Sequence, residues 1–358
     1  MISPLMSAPG AVAAPDASPD AGVAWHYGDP FAEQRAANTS AIVTDRSNRG
    51  LLAVPGSDRL TWLHSLTSQH LTELSDGHGI EALLLDINGR VEQHLVLADL
   101  DGTTWIDTEG AGAAALVAYL QKMVFWAEVA PRDAHDEIAL LSIQGPLADQ
   151  LLPLPVEVFG VAPLADGGFA RRMPAPAGSH AADVVVPRAQ LGRWWALLVD
   201  AGARPAGSWA FEALRVAALQ ARAGVDTDER TIPHEVGLID RAVHLNKGCY
   251  RGQETVARVH NLGKPPRRLV LLHLDGSAGG LPETGDEVTA DGRTVGRVGT
   301  VVEHHELGPI ALALVKRSVP AETPLVAGGC AAAIDPDSIL AEQGEQAGRL
   351  AVSRLRGR

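Results

Sequence analysis

Cysteine is scarce in this sequence. Its 358 residues include only Cys249 and Cys330, which lie far apart, and no Cys-x-x-Cys motif occurs. Two distant cysteines exclude a disulfide framework, and this usage is typical of a reducing compartment. They also exclude a complete iron–sulfur cluster held by the usual four thiolates. We therefore expect a cytoplasmic protein.

Long apolar runs are missing as well. No run reaches the roughly 18–20 residues that span a bilayer, so we expect no membrane association. Residues 1–22 are rich in Ala, Pro and Ser, and they lack the basic and apolar regions of a secretory signal. We interpret residues 1–35 as a disordered leader. Aromatic residues make up only 4% of the chain, so the core must consist mainly of Leu, Val and Ala.

Positive charge is in the minority. The chain has 30 Lys and Arg against 43 Asp and Glu, a formal net charge of −13. A general nucleic-acid binder or a binder of anionic membranes needs a basic surface, so the composition argues against both classes. Local basic clusters remain at Arg171-Arg172 and at Lys264, Arg267 and Arg268.

Turn signals divide the chain into segments. Asn88-Gly89 and Asp101-Gly102 separate alternating apolar runs and predict an antiparallel meander. Helical spacing follows in several segments between residues 111 and 223. After Pro265-Pro266, short strands separated by glycines predict a small barrel. The pattern indicates an α+β protein with a central region at residues 36–265, a β-barrel at 266–340 and a flexible tail at 341–358.

The most informative segment is residues 247–254, Lys-Gly-Cys-Tyr-Arg-Gly-Gln-Glu, which we call the octad. Cys249 lies between Lys247 and Arg251, and nearby cations favour the reactive thiolate form. Gly248 and Gly252 allow tight turns and a close approach of the backbone to a ligand. The pattern suits a reactive thiol at a bend. The alternative is a free cysteine that is buried as a small apolar residue.

Several segments resemble the glycine-cleavage T-protein superfamily. They are residues 211–216 (Phe-Glu-Ala-Leu-Arg-Val), 224–226 (Gly-Val-Asp) and 232–238 (Ile-Pro-His-Glu-Val-Gly-Leu). The octad, continued by Thr-Val-Ala-Arg at 255–258, looks like the K-G-C-Y-x-G-Q-E signature of the YgfZ-type branch of folate-binding proteins. Residues 285–300 resemble the terminal barrel of the superfamily. The resemblance covers most of the chain from about residue 36.

The resemblance implies a T-protein-like multi-domain fold around a central opening, with tetrahydrofolate, also in polyglutamylated form, bound near that opening. It implies a role in making or maintaining iron–sulfur proteins, including radical enzymes that thiolate tRNA. The implied partners are therefore folate and iron–sulfur proteins or their assembly factors. A fold of this kind needs no second copy, so we expect a monomer.

The resemblance also assigns residues. Cys249 is expected to act as a nucleophile, a sulfur carrier or a transient iron ligand, with Lys247 stabilising its thiolate. The expected folate-binding residues are Arg215, Gln93, Tyr250, Gly248, Gly252, Gln253 and Glu254. Several alternatives stay open. Arg215 suits an ion pair with Glu212 or Asp226, and Tyr250 suits the core. Gln253 and Glu254 suit a solvated loop face. Lys264, Arg267 and Arg268 suit either a polyglutamyl tail or a solvated turn.

One position departs from the better-known branch of the superfamily, in which the T-protein transfers an aminomethyl unit to tetrahydrofolate. An acid there assists the folate nitrogen, within a Gly-x-x-Asp-Asp pattern. Residues 89–94 here read Gly-Arg-Val-Glu-Gln-His, with Gln93 at the second acidic position. A Gln amide cannot act as a carboxylate base. Glu92 points to the opposite strand face and is a poor substitute.

These features favour an accessory factor over a folate-dependent aminomethyltransferase or demethylase. A non-catalytic scaffold for client proteins is a third hypothesis. His234, His244 and His260 are metal-ligand types near Cys249, but their spacing matches no compact zinc pattern, so we predict no metal site. Cys330 leads into an Ala-rich segment and is expected in the core.

Overall fold

The computed structural model describes residues 2–277 and 280–339. Its α-helices, in chain order, are α1 (Pro30–Thr39), α2 (Arg59–Leu66), α3 (Gly110–Lys122), α4 (Leu191–Asp200), α5 (Ser208–Ala217), α6 (Ile239–Ala242) and α7 (Gln253–Leu262). Short 3-10 helices lie at Pro4–Ser7, Ala148–Gln150, Arg188–Gln190, Pro233–Glu235 and Pro336–Ser338. None of the helices in this part of the chain combines the length and the apolar character that a membrane crossing requires.

The strands, in chain order, are β1 (Val12–Ala13), β2 (Ala24–His26), β3 (Ile42–Asp45), β4 (Gly50–Pro55), β5 (His78–Leu85), β6 (Val91–Leu100), β7 (Thr103–Thr108), β8 (Arg132–Asp133), β9 (Ile138–Gly145), β10 (Val161–Pro163), β11 (Phe169–Met173), β12 (His180–Pro187), β13 (Arg204–Ala206), β14 (Arg267–Leu274), β15 (Glu287–Ala290), β16 (Arg293–His304), β17 (Gly308–Lys316), β18 (Leu325–Ala327) and β19 (Cys330–Ile334).

The chain forms two compact units. The first contains the chain up to His64, then His70–Ala82 and Gln93–Leu214. The second contains Ser65–Gln69, Leu83–Glu92 and the chain from Arg215 onward. This grouping joins the octad and the barrel strands in one unit, whereas our division of the chain placed a boundary between them at residue 265. The predicted tail, residues 341–358, lies outside the described residues.

Two sheets form most of the first unit. One has the strand order β10-β11-β12-β9-β3-β13. The other has the order β5-β6-β7-β4-β8, and its strands β4, β7 and β8 lie wholly in the first unit. Successive side chains of a strand point to opposite faces. Accordingly Leu141 and Ile143 of β9 pack in the cluster that contains Trp194 of α4. Leu140, the residue before Leu141, packs instead with Leu51 of β4. The central strand β9 is therefore buried on both faces.

A buried guanidinium joins strands of the two sheets. Arg171 of β11 is 1% exposed, and its Nη2 donates to Asp107 of β7 at 2.6 Å and to Asp183 of β12 at 2.7 Å. Arg49 also donates to Asp107, at 2.6 Å. Burial alone would raise the pKa of Asp107, but the charges of Arg49 and Arg171 outweigh it and hold that pKa well below its usual range.

The predicted disordered leader is wrong for the described residues. A 3-10 helix begins at Pro4, two short strands follow, and α1 begins at Pro30. Leu5 is buried in the same core cluster as Leu141, and the hydroxyl of Ser3 donates to the buried carboxylate of Asp45. An Ala- and Pro-rich composition indicated disorder, but one apolar side chain and one buried hydrogen bond attach this segment to the first unit.

The second unit ends in the predicted barrel. Six strands close it in the order β14-β17-β16-β15-β18-β19. Alternate residues such as Val270 and Leu272 of β14 fill its interior. Leu314 of β17 points outward and packs with Tyr250 and Val256, near the start of α7. The predicted α+β class with a C-terminal barrel is confirmed.

The anchoring of the first residues predicts a difference between two neighbouring substitutions. Leu5→Ala should lower the free energy of unfolding by about 2–4 kcal/mol, because Leu5 is 5% exposed and its loss leaves a cavity. Ile2→Ala is the matched control, since Ile2 is 75% exposed and should change stability by less than about 0.5 kcal/mol. Urea unfolding of both variants measures this. Equal stabilities would mean that the segment does not pack as described.

Candidate functional site

The octad presents one exposed thiol between buried neighbours. Cys249 is exposed, whereas Lys247 and Tyr250 are 6% and 7% exposed. The Tyr250 ring lies in the apolar cluster with Val256 and Leu314, and burial raises the pKa of its phenol to about 12. Of the two alternatives for Tyr250, the structure places it in the core. Of the two for Cys249, the buried one does not hold.

Lys247 attaches the octad to another segment of the second unit. Its Nζ donates to the backbone carbonyls of Thr67 at 2.6 Å and Gln69 at 2.9 Å. It also lies 5.3 Å from the centre of the Tyr250 ring. Burial lowers the pKa of Lys247 to about 8. These contacts orient the loop, while stabilisation of the Cys249 thiolate by Lys247 stays a prediction.

Gly252 is required by close packing at the end of the octad. Its φ is +83°, and it immediately precedes α7. A Cβ at this position would lie 2.6 Å from the Cα of Gly89 and 2.6 Å from the carbonyl oxygen of Asp86. Any larger residue would therefore clash with the turn between β5 and β6. Gly248 differs, because a Cβ there would meet nothing within 4 Å.

The remaining octad residues divide between loop contacts and solvent. Arg251 pairs with Glu92 at 2.6 Å, a residue that the sequence reasoning had set aside. Gln253 donates from Nε2 to the carbonyl oxygen of Lys247 at 3.2 Å, so it orients the loop. Glu254 is exposed and belongs to the solvated face. The Arg251–Glu92 pair is half-exposed, so it contributes little to the free energy of unfolding.

Arg215 adopts the ion-pair alternative. Its Nη1 lies 2.8 Å from Asp226 and its Nη2 donates to the hydroxyl of Thr300 on β16 at 2.7 Å. Asp226 is 1% exposed and also accepts from the backbone N–H of Thr300 at 2.6 Å. Arg215 thus connects two parts of the second unit, the segment around Asp226 and the barrel strand β16. A folate role for Arg215 stays a prediction, and it would require the guanidinium to exchange these partners.

Gln93 belongs to the first unit, not to the unit that contains the octad. Its Oε1 accepts from the hydroxyl of Thr108 at 3.2 Å, and its amide lies against the first turn of α3. A Cβ on Gly112 would be 2.5 Å from that amide. The Gln93 side chain therefore faces α3 and β7.

The other candidates are mostly structural. Arg267 is paired with Asp228 at 2.6 Å and Glu235 at 2.8 Å, so it is not a solvated turn residue, and its contact with a polyglutamyl tail stays a prediction. Arg268 donates to the carbonyl oxygen of Val319 at 2.7 Å. Cys330 is 1% exposed in the barrel interior, and its expected place in the core is confirmed.

His234 and His260 lie side by side, with ring centres 6.1 Å apart. Both ring nitrogens of His234 are buried, and the described part of the chain supplies no hydrogen-bond partner to them. Burial, with a smaller effect from His260, lowers the pKa of His234 to about 4. His244 is exposed. No three His, Cys, Asp or Glu side chains within residues 2–277 and 280–339 are grouped to hold a metal ion.

Two domain families match parts of this chain. The profile of the GCVT N-terminal domain matches residues 23–158, and that of the CAF17 C-terminal beta-barrel domain matches residues 267–342. An aminomethyltransferase of Rubrobacter xylanophilus is 30% identical over 284 residues, which cover 76% of this chain and 75% of that protein. The chain belongs to the aminomethyltransferase family.

Two further relatives bear on this family member. A protein of Arabidopsis thaliana named as a chloroplastic transferase is 25% identical over 298 residues, 74% of this chain. The match spans 62% of the Arabidopsis protein's length. The crystal structure of the glycine cleavage system aminomethyltransferase T of Bartonella henselae has a TM-score of 0.81 and 20% identity, covering 95% of this chain and 97% of that one. The predicted T-protein-like fold is therefore confirmed.

The exposure of the two cysteines predicts selective alkylation. Iodoacetamide should modify Cys249 in the folded protein, because its thiol is exposed, and should modify Cys330 only after unfolding. Peptide mapping by mass spectrometry before and after denaturation identifies the site. Cys249→Ala is the control and should take no label when folded. Labelling of Cys330 in the folded protein, or none at Cys249, would contradict the described octad.

The buried His234 predicts a loss of stability in acid. The unfolded chain binds a proton at His with a pKa of about 6.5. Folded His234 does so only near 4. Between these values the unfolded state binds more protons, so stability falls as pH falls. From pH 7 to pH 5 the free energy of unfolding of the parent should drop by about 1–2 kcal/mol more than that of His234→Leu. Urea unfolding at both pH values measures this, with His244→Gln as the exposed control. The same drop in all three proteins would refute it.

Proposed function

We propose that this protein is a tetrahydrofolate-binding accessory factor for iron–sulfur cluster assembly or repair, of the YgfZ-type branch, and that Cys249 carries its chemistry. The observation that carries the proposal is the exposed Cys249 thiol on a loop held by buried neighbours. The match of the CAF17 C-terminal beta-barrel domain to residues 267–342 supports the same branch. The proposed setting is the cytoplasm, and the proposed state is a monomer.

The octad suits a thiol that reacts with other molecules, because Cys249 is exposed on the protein surface. Lys247 and Gln253 hold the loop through backbone carbonyls, and Gly252 closes it against the turn at Gly89. This leaves Cys249 accessible to a sulfur atom, an iron ion or a client protein. A thiolate is the form that attacks sulfur or binds iron. The iron and sulfur are then cargo, and the clients include radical enzymes that thiolate tRNA.

Tetrahydrofolate is proposed from family membership and from groups that still have hydrogen-bonding capacity. Gln93 and Arg215 already have protein partners, so folate binding by either needs an exchange of partners. His94, the next residue after Gln93, has no described partner at Nδ1. A ligand rich in N–H groups would fit such an acceptor. Arg267 is occupied by carboxylates, so a polyglutamyl tail is proposed to use Lys264 and Arg268.

One-carbon transfer is the second candidate, because a relative at 30% identity is an aminomethyltransferase. Gln93 argues against it, since an amide replaces the expected acid and its Oε1 already accepts from Thr108. Turnover of aminomethylated or N-methyl substrates with tetrahydrofolate would separate this candidate from the accessory factor, for which we expect no turnover.

The deciding experiment is rescue of iron–sulfur enzyme activity in cells that lack this protein. Parent, Cys249→Ala and Cys330→Ala are compared at equal soluble abundance. Parent and Cys330→Ala should rescue, whereas Cys249→Ala should stay near the background, because only Cys249 is exposed. Cys330→Ala controls for loss of a thiol as such.

Two other results would overturn the proposal in different ways. If all three proteins rescue equally, the thiol is not required, and the octad shapes the site or the protein is a scaffold. If none rescues, the iron–sulfur role fails, and the turnover assay on one-carbon substrates becomes the relevant test.

A further inference from the structure

A carboxylate and an imidazole are paired inside the first unit. Glu81 of β5 is 1% exposed, and its Oε2 lies 3.6 Å from Nε2 of His94 on the neighbouring strand β6. Both atoms are enclosed by protein. A buried carboxylate is costly unless a partner compensates its charge. The roles considered above involve His94 but not its contact with Glu81.

The two nitrogens of His94 have different surroundings. Nε2 is buried and faces Glu81, while the side chain as a whole keeps 17% exposure. Among residues 2–277 and 280–339, none makes a hydrogen bond to Nδ1. The hydroxyl of Thr108 donates to the His94 carbonyl oxygen at 2.9 Å and fixes the backbone beneath the ring. Nδ1 is therefore the nitrogen that is left for a ligand.

Strand geometry separates His94 from its neighbour. Successive side chains of a strand point to opposite faces, and Gln93 faces Thr108 and Gly112. His94 consequently lies on the other face of the same strand, together with Glu81 of β5. Gln93, whose amide is not basic, and His94, whose imidazole is basic, therefore lie on opposite faces of β6.

The pair has the arrangement of an oriented hydrogen-bond acceptor. A carboxylate next to Nε2 favours the neutral tautomer with its proton on Nε2, which leaves a lone pair on Nδ1. The 3.6 Å separation between Nε2 and Oε2 is longer than a hydrogen bond, so the carboxylate acts on the imidazole through its charge.

We propose that His94, oriented by Glu81, accepts a hydrogen bond at Nδ1 from an N–H group of the bound folate. This rests on the proposed folate binding and deepens it by naming the hydrogen-bond acceptor. No bond of the ligand breaks, and Nε2–H stays beside the Glu81 carboxylate.

The alternative is that Glu81 and His94 only stabilise the β5–β6 sheet. The chain offers a matched comparison, because His78, also on β5, pairs with Glu157 at 3.5 Å. That pair is largely exposed, at 47% and 79%. A purely structural or surface role predicts no response of either histidine to folate, whereas the proposal predicts a response of His94 alone.

The test is a nitrogen NMR measurement on protein labelled with 15N-histidine, with the His94 signals assigned by their loss in His94→Asn. The parent should show the Nε2–H tautomer, and added tetrahydrofolate should shift Nδ1 of His94. Glu81→Leu should give mixed tautomers and a smaller shift, while Glu81→Gln, which still offers an acceptor oxygen, should restore the tautomer. His78→Asn should behave as the parent.

Calorimetry with tetrahydrofolate completes the test. His94→Leu should raise Kd by about fivefold to tenfold, as expected for one lost hydrogen bond to a partly buried group. If tetrahydrofolate binds the parent but leaves Nδ1 unmoved, or binds His94→Leu equally well, the pair is structural and the inference is overturned while the proposed function stands. If tetrahydrofolate does not bind the parent, the folate part of the proposed function fails, and the inference fails with it.

Discussion

The buried guanidinium of Arg171 is the constraint on which the first unit depends. It contacts Asp107 and Asp183 on strands of two different sheets and donates to the carbonyl oxygen of Val96 at 3.1 Å. Loss of one partner from such a buried ion pair leaves an uncompensated charge and typically costs about 3–5 kcal/mol. Apolar packing between the sheets is tolerant of small shifts. The ion pairs are directional, so they restrict the position of one sheet on the other more narrowly than apolar packing does.

The octad differs from this ion-pair cluster, because its buried residues hold a loop that leaves the Cys249 thiol exposed. Lys247 donates to two carbonyl oxygens, Tyr250 fills an apolar cluster, and Gly252 fits only because it has no side chain. These contacts restrict the loop without covering Cys249. A reactive group on a restricted loop meets its partner in one orientation, which lowers the entropic cost of reaction. The same residues that make the motif recognisable are therefore the ones that hold it in place.

Strand β6 shows how one residue step separates two chemical roles. The Gln93 amide contacts Thr108 and the first turn of α3, while the His94 ring faces Glu81. In sequence the two residues are adjacent and look like one site. In the sheet they lie on opposite faces, because the side-chain period of a strand is two. One strand can thus carry an amide on one face and an imidazole–carboxylate pair on the other.

The sequence alone determined the fold class and the terminal barrel, and it singled out the octad as a candidate site. Glycine and proline spacing predicts short barrel strands, and a highly specific motif needs no neighbours to be recognised. Composition could not predict the order of residues 2–35, since that order depends on Leu5 and Ser3 meeting distant partners. The role of Arg215 was left open for the same reason, because the sequence allowed folate binding as well as an ion pair with Glu212 or Asp226. Only the tertiary structure decided that Arg215 pairs with Asp226, that Lys247 binds two carbonyl oxygens and that His94 meets Glu81. Each of these contacts joins residues that are separate in sequence, and long-range contacts are set by packing rather than by local pattern.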